Sequence, residues 1–127
     1  MTGVLVLDTG ALIGIERRSH RVRSIVEGAK ARQIGLIIPT VVVAQAVRGG
    51  PRQANLHRFL SDSYLRFSGF DYETSWEVGR LLGDSGGHDV VDAAVVVCAR
   101  EYGRCPVVTS DPEDIRKLDQ ELAIIRV

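Results

Sequence analysis

At 127 residues the chain is long enough for one domain with a hydrophobic core and too short for two, so residues 1–127 are read as a single domain. No run of about 18 apolar residues could span a membrane, no basic-then-apolar leader opens the chain, and Cys98 and Cys105 match no zinc spacing, so a cytoplasmic protein with two reduced structural thiols is expected. The formal net charge of zero hides an asymmetry: residues 1–66 carry ten Lys/Arg against four Asp/Glu, and residues 67–127 carry six against twelve.

The first predicted element is the apolar run Val4–Leu7, which lacks alternation, as a strand buried on both faces should. It ends at Asp8-Thr9-Gly10, a tripeptide that is also the local signature of an aspartic protease. A protease strand should continue into β-structure. Here Ala11, Leu12, Ile13 and Ile15, followed by Glu16, Arg17 and Arg18, predict a short amphipathic helix over 10–18 that the Thr9 hydroxyl can cap.

Further along, helices are predicted over 20–32, 40–48, 52–61, 72–83, 89–102 and 112–118, with strands over 36–38, 106–108 and 123–127 and a less regular one over 65–70. Thr40 is placed to cap the third helix and Gly103 to end the sixth. The β-branched run Val95–Val97 also fits a strand, but DAA before it and CAREYG after it favour a buried helix. Strands alternating with helices imply right-handed βα units, hence an α/β fold with a mostly parallel sheet of four to five strands covered on both faces.

In such sheets ligands gather at the carboxyl ends of the strands. Asp8 follows the first strand and Asp111, in "PVVTSDPEDI", follows the fourth. Asp89 and Asp92, in "GGHDVVDAAVVVCARE", open the long apolar helix before it, on one face at i, i+3. Each has a plainer role: Asp89 and Asp111 suit N-caps, with Pro112 at the first turn and Asp92 favoured by the helix dipole. Asp8 and Asp92 are flanked by apolar residues, and a buried carboxylate needs a partner or a cation. If the strands are adjacent, the acids converge and repel one another, which suits Mg²⁺ or Mn²⁺ and phosphodiester chemistry.

Fourteen of the sixteen basic residues are arginine, bunched at Arg17, Arg18, Arg21 and Arg23 and at Arg48, Arg52 and Arg58. The guanidinium fork suits phosphate contacts, although solvated helix faces are also commonly charged. The glycines of "RGGPRQANLHRFL" allow Arg48 and Arg52 to reach the acidic edge, for RNA phosphate or for acidic residues of a protein partner.

From "VLVLDTGALIGIE" through "VVDAAVVVCAREYG" to "CPVVTSDPEDIRKL", the chain resembles the PIN domain, and within it the small VapC-type toxins of bacterial toxin–antitoxin pairs. The resemblance implies a three-layer α/β/α domain that hydrolyses RNA with Mg²⁺ or Mn²⁺, acts as a homodimer and is held inactive by a cognate VapB-like antitoxin. It maps the family's metal-binding acids onto Asp8, Asp92 and Asp111, with Thr9, Thr109 and Ser110 as supporting polar residues. One position departs: where the family usually has a glutamate, "IIPTVVVAQAVRGG" has Gln45, which brings no negative charge. Asp89, one turn from Asp92, is the carboxylate placed to substitute.

A phosphoacceptor receiver domain shares the α/β pattern, but Asp8 has no acidic neighbour and the only lysines are Lys30 and Lys117; no GxGxxG or GxxxxGK occurs. The rival to a nuclease is a PIN-like domain without full catalysis that binds RNA or protein, a reading that rests on Gln45.

Overall fold

A computed structural model describes residues 3–127. In chain order the elements are β1 (Val4–Leu7), α1 (Thr9–Glu16), α2 (His20–Ala31), β2 (Gly35–Pro39), α3 (Thr40–Ala46), a 3-10 turn (Pro51–Gln53), α4 (Ala54–Leu60), β3 (Leu65–Ser68), α5 (Tyr72–Ser85), α6 (Val90–Glu101), β4 (Val107–Thr109), α7 (Pro112–Leu118) and β5 (Ile124–Arg126). The strands form one five-stranded sheet in the order β3-β2-β1-β4-β5, and every pairing is parallel. The α/β class expected from the alternation is the one observed.

The central strands explain the uninterrupted apolar runs: Val6, Leu7, Leu36, Ile37, Ile38, Val107 and Val108 have no exposed surface, because helices cover both faces of the sheet. The edge strands β3 and β5 are partly exposed, and their sequences are correspondingly less apolar. The chain steps outward from β1 to β3, then crosses back to β4 and β5. With right-handed crossovers this reversal places α1, α2 and α4 on one face and α5, α6 and α7 on the other, as their mutual packing shows. The strand order reverses between β1 and β4, so the crevice at the carboxyl ends of those two strands is the favoured ligand position in a sheet of this kind.

Helix α6 lies between the sheet and its neighbours α5 and α7, and every residue from Ala93 to Ala99 is buried. That burial overrides the β-branched preference of Val95–Val97, and the run is helical. Its end is as expected: Tyr102 closes the helix and Gly103 follows at φ +70°, a conformation that favours glycine. Cys98, on α6, and Cys105 are free and buried, and burial pushes the Cys98 thiol up to about 12, where it stays protonated.

The departures from the sequence reading that matter to the site lie around α3 and α4. Thr40 is the first residue of α3 and does not cap it; Pro39 occupies the cap position without a side-chain hydrogen bond. The helix expected over 40–48 stops at Ala46, because Val47 turns to extended backbone. The helix expected over 52–61 begins instead as the 3-10 turn before α4. Gln53 joins these pieces. Its Oε1 accepts from the backbone N–H groups of Arg48 and Gly49 at 2.7 and 2.8 Å, and its Nε2 donates to the Ala46 carbonyl and the Glu16 carboxylate at 2.9 and 2.7 Å.

Candidate active site

Asp8 stands where β1 hands over to α1, at the strand-order reversal. Its backbone N–H donates to the Val108 carbonyl of β4, and the residue is only 5% exposed. One carboxylate oxygen accepts from the Thr9 N–H at 2.6 Å, so Asp8 caps α1 and Thr9 does not, contrary to the sequence reading. The other oxygen accepts from the Thr109 hydroxyl at 2.8 Å, and that hydroxyl in turn accepts from the Asp111 N–H at 3.0 Å. Buried Thr109 thereby ties the acid after β1 to the loop after β4. Burial raises the Asp8 pKa against the lowering effect of both hydrogen bonds, and the charges of Asp111 and Asp89 raise it further.

Asp89 caps α6, its carboxylate accepting from the Asp92 N–H at 2.9 Å, as anticipated. Asp92 is half-buried in the first turn, and its pKa is pushed up to about 7, first by burial and then by the charges of Asp89, Asp8, Asp114 and Asp111. The charged neighbours that shift Asp8 and Asp92 are all carboxylates. Asp114, in the first turn of α7, also belongs to this field; its position i+3 from Asp111 is the signal the sequence carries for it. Asp111 sits at the N-cap position of α7 ahead of Pro112, but its side chain makes no capping hydrogen bond. The plainer role assigned to it by sequence is therefore not the one its carboxylate performs.

Helix α3 brings Gln45 to the same edge, where its side-chain oxygen accepts from the Thr9 hydroxyl. Among the described residues, no three His, Cys, Asp or Glu side chains close into a cluster of metal-binding dimensions. The donor chemistry nevertheless fits a hard divalent cation: carboxylate oxygens that burial and mutual repulsion drive toward protonation gain most from a positive charge among them.

Solved structures match this arrangement of elements along nearly the whole chain. DNA-bound VapBC from Salmonella typhimurium matches with a TM-score of 0.72 at 18% identity, over 99% of this chain and 98% of that one. VapBC2 from Rickettsia felis, bound to a promoter DNA fragment, matches at 0.70 and 16% over 98% of both chains. FitAcB from Neisseria gonorrhoeae matches at 0.66 and 18% over 96% of both. The fold is PIN-like. No protein-family model matches the sequence and no curated protein matches it, and at these identities the likeness is one of fold.

In this PIN-like domain the arginines are arranged differently from the acids. The Arg48 guanidinium donates to the Ala44 and Val47 carbonyls at 2.9 and 2.7 Å, folding back over the end of α3 from beyond it, and Arg52 lies exposed in the 3-10 turn. The two sequence clusters instead meet on the α1, α2 and α4 face, where Arg18, Arg23, Lys30 and Arg58 line a groove that also carries Glu27 and Asp62. Lys30 is paired with Asp62. No helix among the described residues is long and apolar enough to cross a membrane.

Proposed function

We propose that the protein is a metal-dependent endoribonuclease, the toxin component of a toxin–antitoxin pair, hydrolysing RNA phosphodiester bonds. The observation that carries this reading is Asp8: a buried carboxylate, wired through Thr109 to the Asp111 loop, sharing its field with Asp89 and Asp92 at the strand-order reversal of a PIN-like sheet. Asp8, Asp92 and Asp111 would hold Mg²⁺ or Mn²⁺. Such an ion, when bound, supplies a Lewis acid for the phosphoryl oxygens and lowers the pKa of water. Thr9 and Thr109 fix the Asp8 carboxylate by donating to both of its oxygens. Asp89 adds negative charge beside Asp92 and supplies part of what Gln45, a neutral amide, does not.

The neighbours named VapBC and FitAcB support a cognate VapB-like antitoxin as the partner. A cytoplasmic homodimer is the working assembly, to be checked by sedimentation of the purified chain. The second reading, a binding module of reduced catalysis, draws on the same Gln45 and on the absence of a closed carboxylate cluster among the described residues.

The deciding experiment incubates antitoxin-free protein with bacterial RNA in Mg²⁺, Mn²⁺ or chelator, beside the Asp8→Asn/Asp92→Asn double variant. Discrete products that need metal and both acids are expected. RNA binding by folded wild type, with no cleavage under either metal, would replace the nuclease with the binding module.

A further inference from the structure

We infer that Gly10 and Ser110 form a fitted pair that sets the separation between the Asp8 and Asp111 segments, so that Gly10 is a positioning residue of the site. The inference rests on the nuclease reading for its functional consequence and on packing for its geometry.

Gly10 lies in the first turn of α1, two residues after Asp8, and its backbone does not adopt a positive φ. Conformational freedom therefore does not explain the glycine. Space does: a Cβ at position 10 would lie 2.1 Å from Ser110 Oγ, 2.7 Å from Ser110 Cβ and 2.9 Å from the Ser110 backbone nitrogen. The hydroxyl can rotate away, but the Cβ and the backbone nitrogen cannot. A side chain at position 10 must push α1 away from the β4–α7 loop.

That displacement acts on a short chain of hydrogen bonds. Thr9 N–H holds one oxygen of Asp8, Thr109 holds the other, and the same Thr109 hydroxyl accepts from Asp111 N–H. Gly10 and Ser110 sit one residue beyond Thr9 and one beyond Thr109, on the two strands of this bridge. Their contact is the steric stop and the hydrogen bonds are the tether. Together they hold two carboxylates that repel each other at one spacing. The glycine thus matters for what it keeps close, and neither its sequence neighbours nor its helix required it.

The test is a double-mutant cycle on the full chain: wild type, Gly10→Ala, Ser110→Gly and the double variant. Mn²⁺ affinity is read by calorimetry, and exchange of the Thr9 and Asp111 amides by NMR. Gly10→Ala is expected to weaken Mn²⁺ about tenfold, the lower end of what disturbing a ligand's support costs, and to speed exchange of both amides. Ser110→Gly removes the Cβ and Oγ obstacles, so in the double variant most of the loss should be recovered; the 2.9 Å backbone contact leaves a remainder. Should Gly10→Ala not fold, Ser110→Thr crowds the contact from the other side and should produce the same two changes. Additive losses, or a Gly10→Ala protein with wild-type affinity and exchange, would overturn the inference. If wild type itself binds no Mn²⁺, the nuclease reading fails separately, and the amide exchange alone decides whether the pair sets the spacing.

Discussion

The side chain of Asp92 couples the site to pH. With its pKa raised from the usual 3.8 to about 7, the folded protein holds a proton between those values that the unfolded chain has released. Stability should therefore fall as pH rises through that window and level off above it. Asp8, also raised, contributes in the same direction. Asp92→Asn should flatten part of this slope and raise stability at pH 8 by about 1 kcal/mol once solvent screening is allowed for, or about 4 °C in Tm, as measured by calorimetry at several pH values. Divalent-ion affinity should run the opposite way, rising with pH up to about 7 as Asp92 ionises. A wild-type Tm that climbs between pH 4 and 7 in the absence of metal would contradict the like-charge crowding inferred at this edge.

At the scale of elements, two polar side chains carry separable loads. Asp89 both caps α6 and charges the site. Asparagine caps as well as aspartate, so Asp89→Asn should leave Tm within error or raise it while weakening Mn²⁺ binding, whereas Asp89→Ala should also cost about 1 kcal/mol of stability. Equal Mn²⁺ affinity in wild type and Asp89→Asn would remove Asp89 from the site. Gln53 holds α1, the end of α3 and the Arg48–Gly49 segment that follows it with four hydrogen bonds. Gln53→Ala strands those partners and should cost roughly 2–3 kcal/mol, visible in urea unfolding, with accelerated exchange at the Arg48 and Gly49 amides. Neither Gln53 nor the break after Ala46 was readable from local pattern. Gln53 reaches Glu16, thirty-seven residues away, and the break after Ala46 is held by Gln53 from beyond the helix.

For the whole molecule, topology converts an asymmetry along the chain into one across the fold. The basic half supplies α1, α2 and α4 on one face, while the acidic half supplies α5, α6 and α7 on the other and the acids at the α6 and α7 starts. If the groove lined by Arg18, Arg23 and Arg58 tracks RNA phosphates, replacing all three with glutamine should reduce the slope of log affinity against log salt by about 2 for single-stranded RNA. Filter binding to the uncleaving Asp8→Asn protein measures this. An unchanged slope would assign the face to the protein partner.

Sequence alone determined the α/β class, the parallel sheet, the burial of α6 and the identity of Asp8, Asp89, Asp92 and Asp111 as the acids worth following. These rest on local periodicity and on position at strand ends, which one short window contains. It also marked Gly103, because a helix end is a local event. Tertiary structure alone decided that β1 and β4 are neighbours, that Asp8 caps its own helix while Thr9 turns to Gln45, that Asp114 joins the carboxylate field and that Gly10 abuts Ser110. The β1–β4 pairing, the Asp114 field and the Gly10–Ser110 contact depend on the crossover from β3 to β4, and the Thr9–Gln45 bond on where α3 leaves β2; they join residues tens of positions apart, and such distances are a property of the packed sheet.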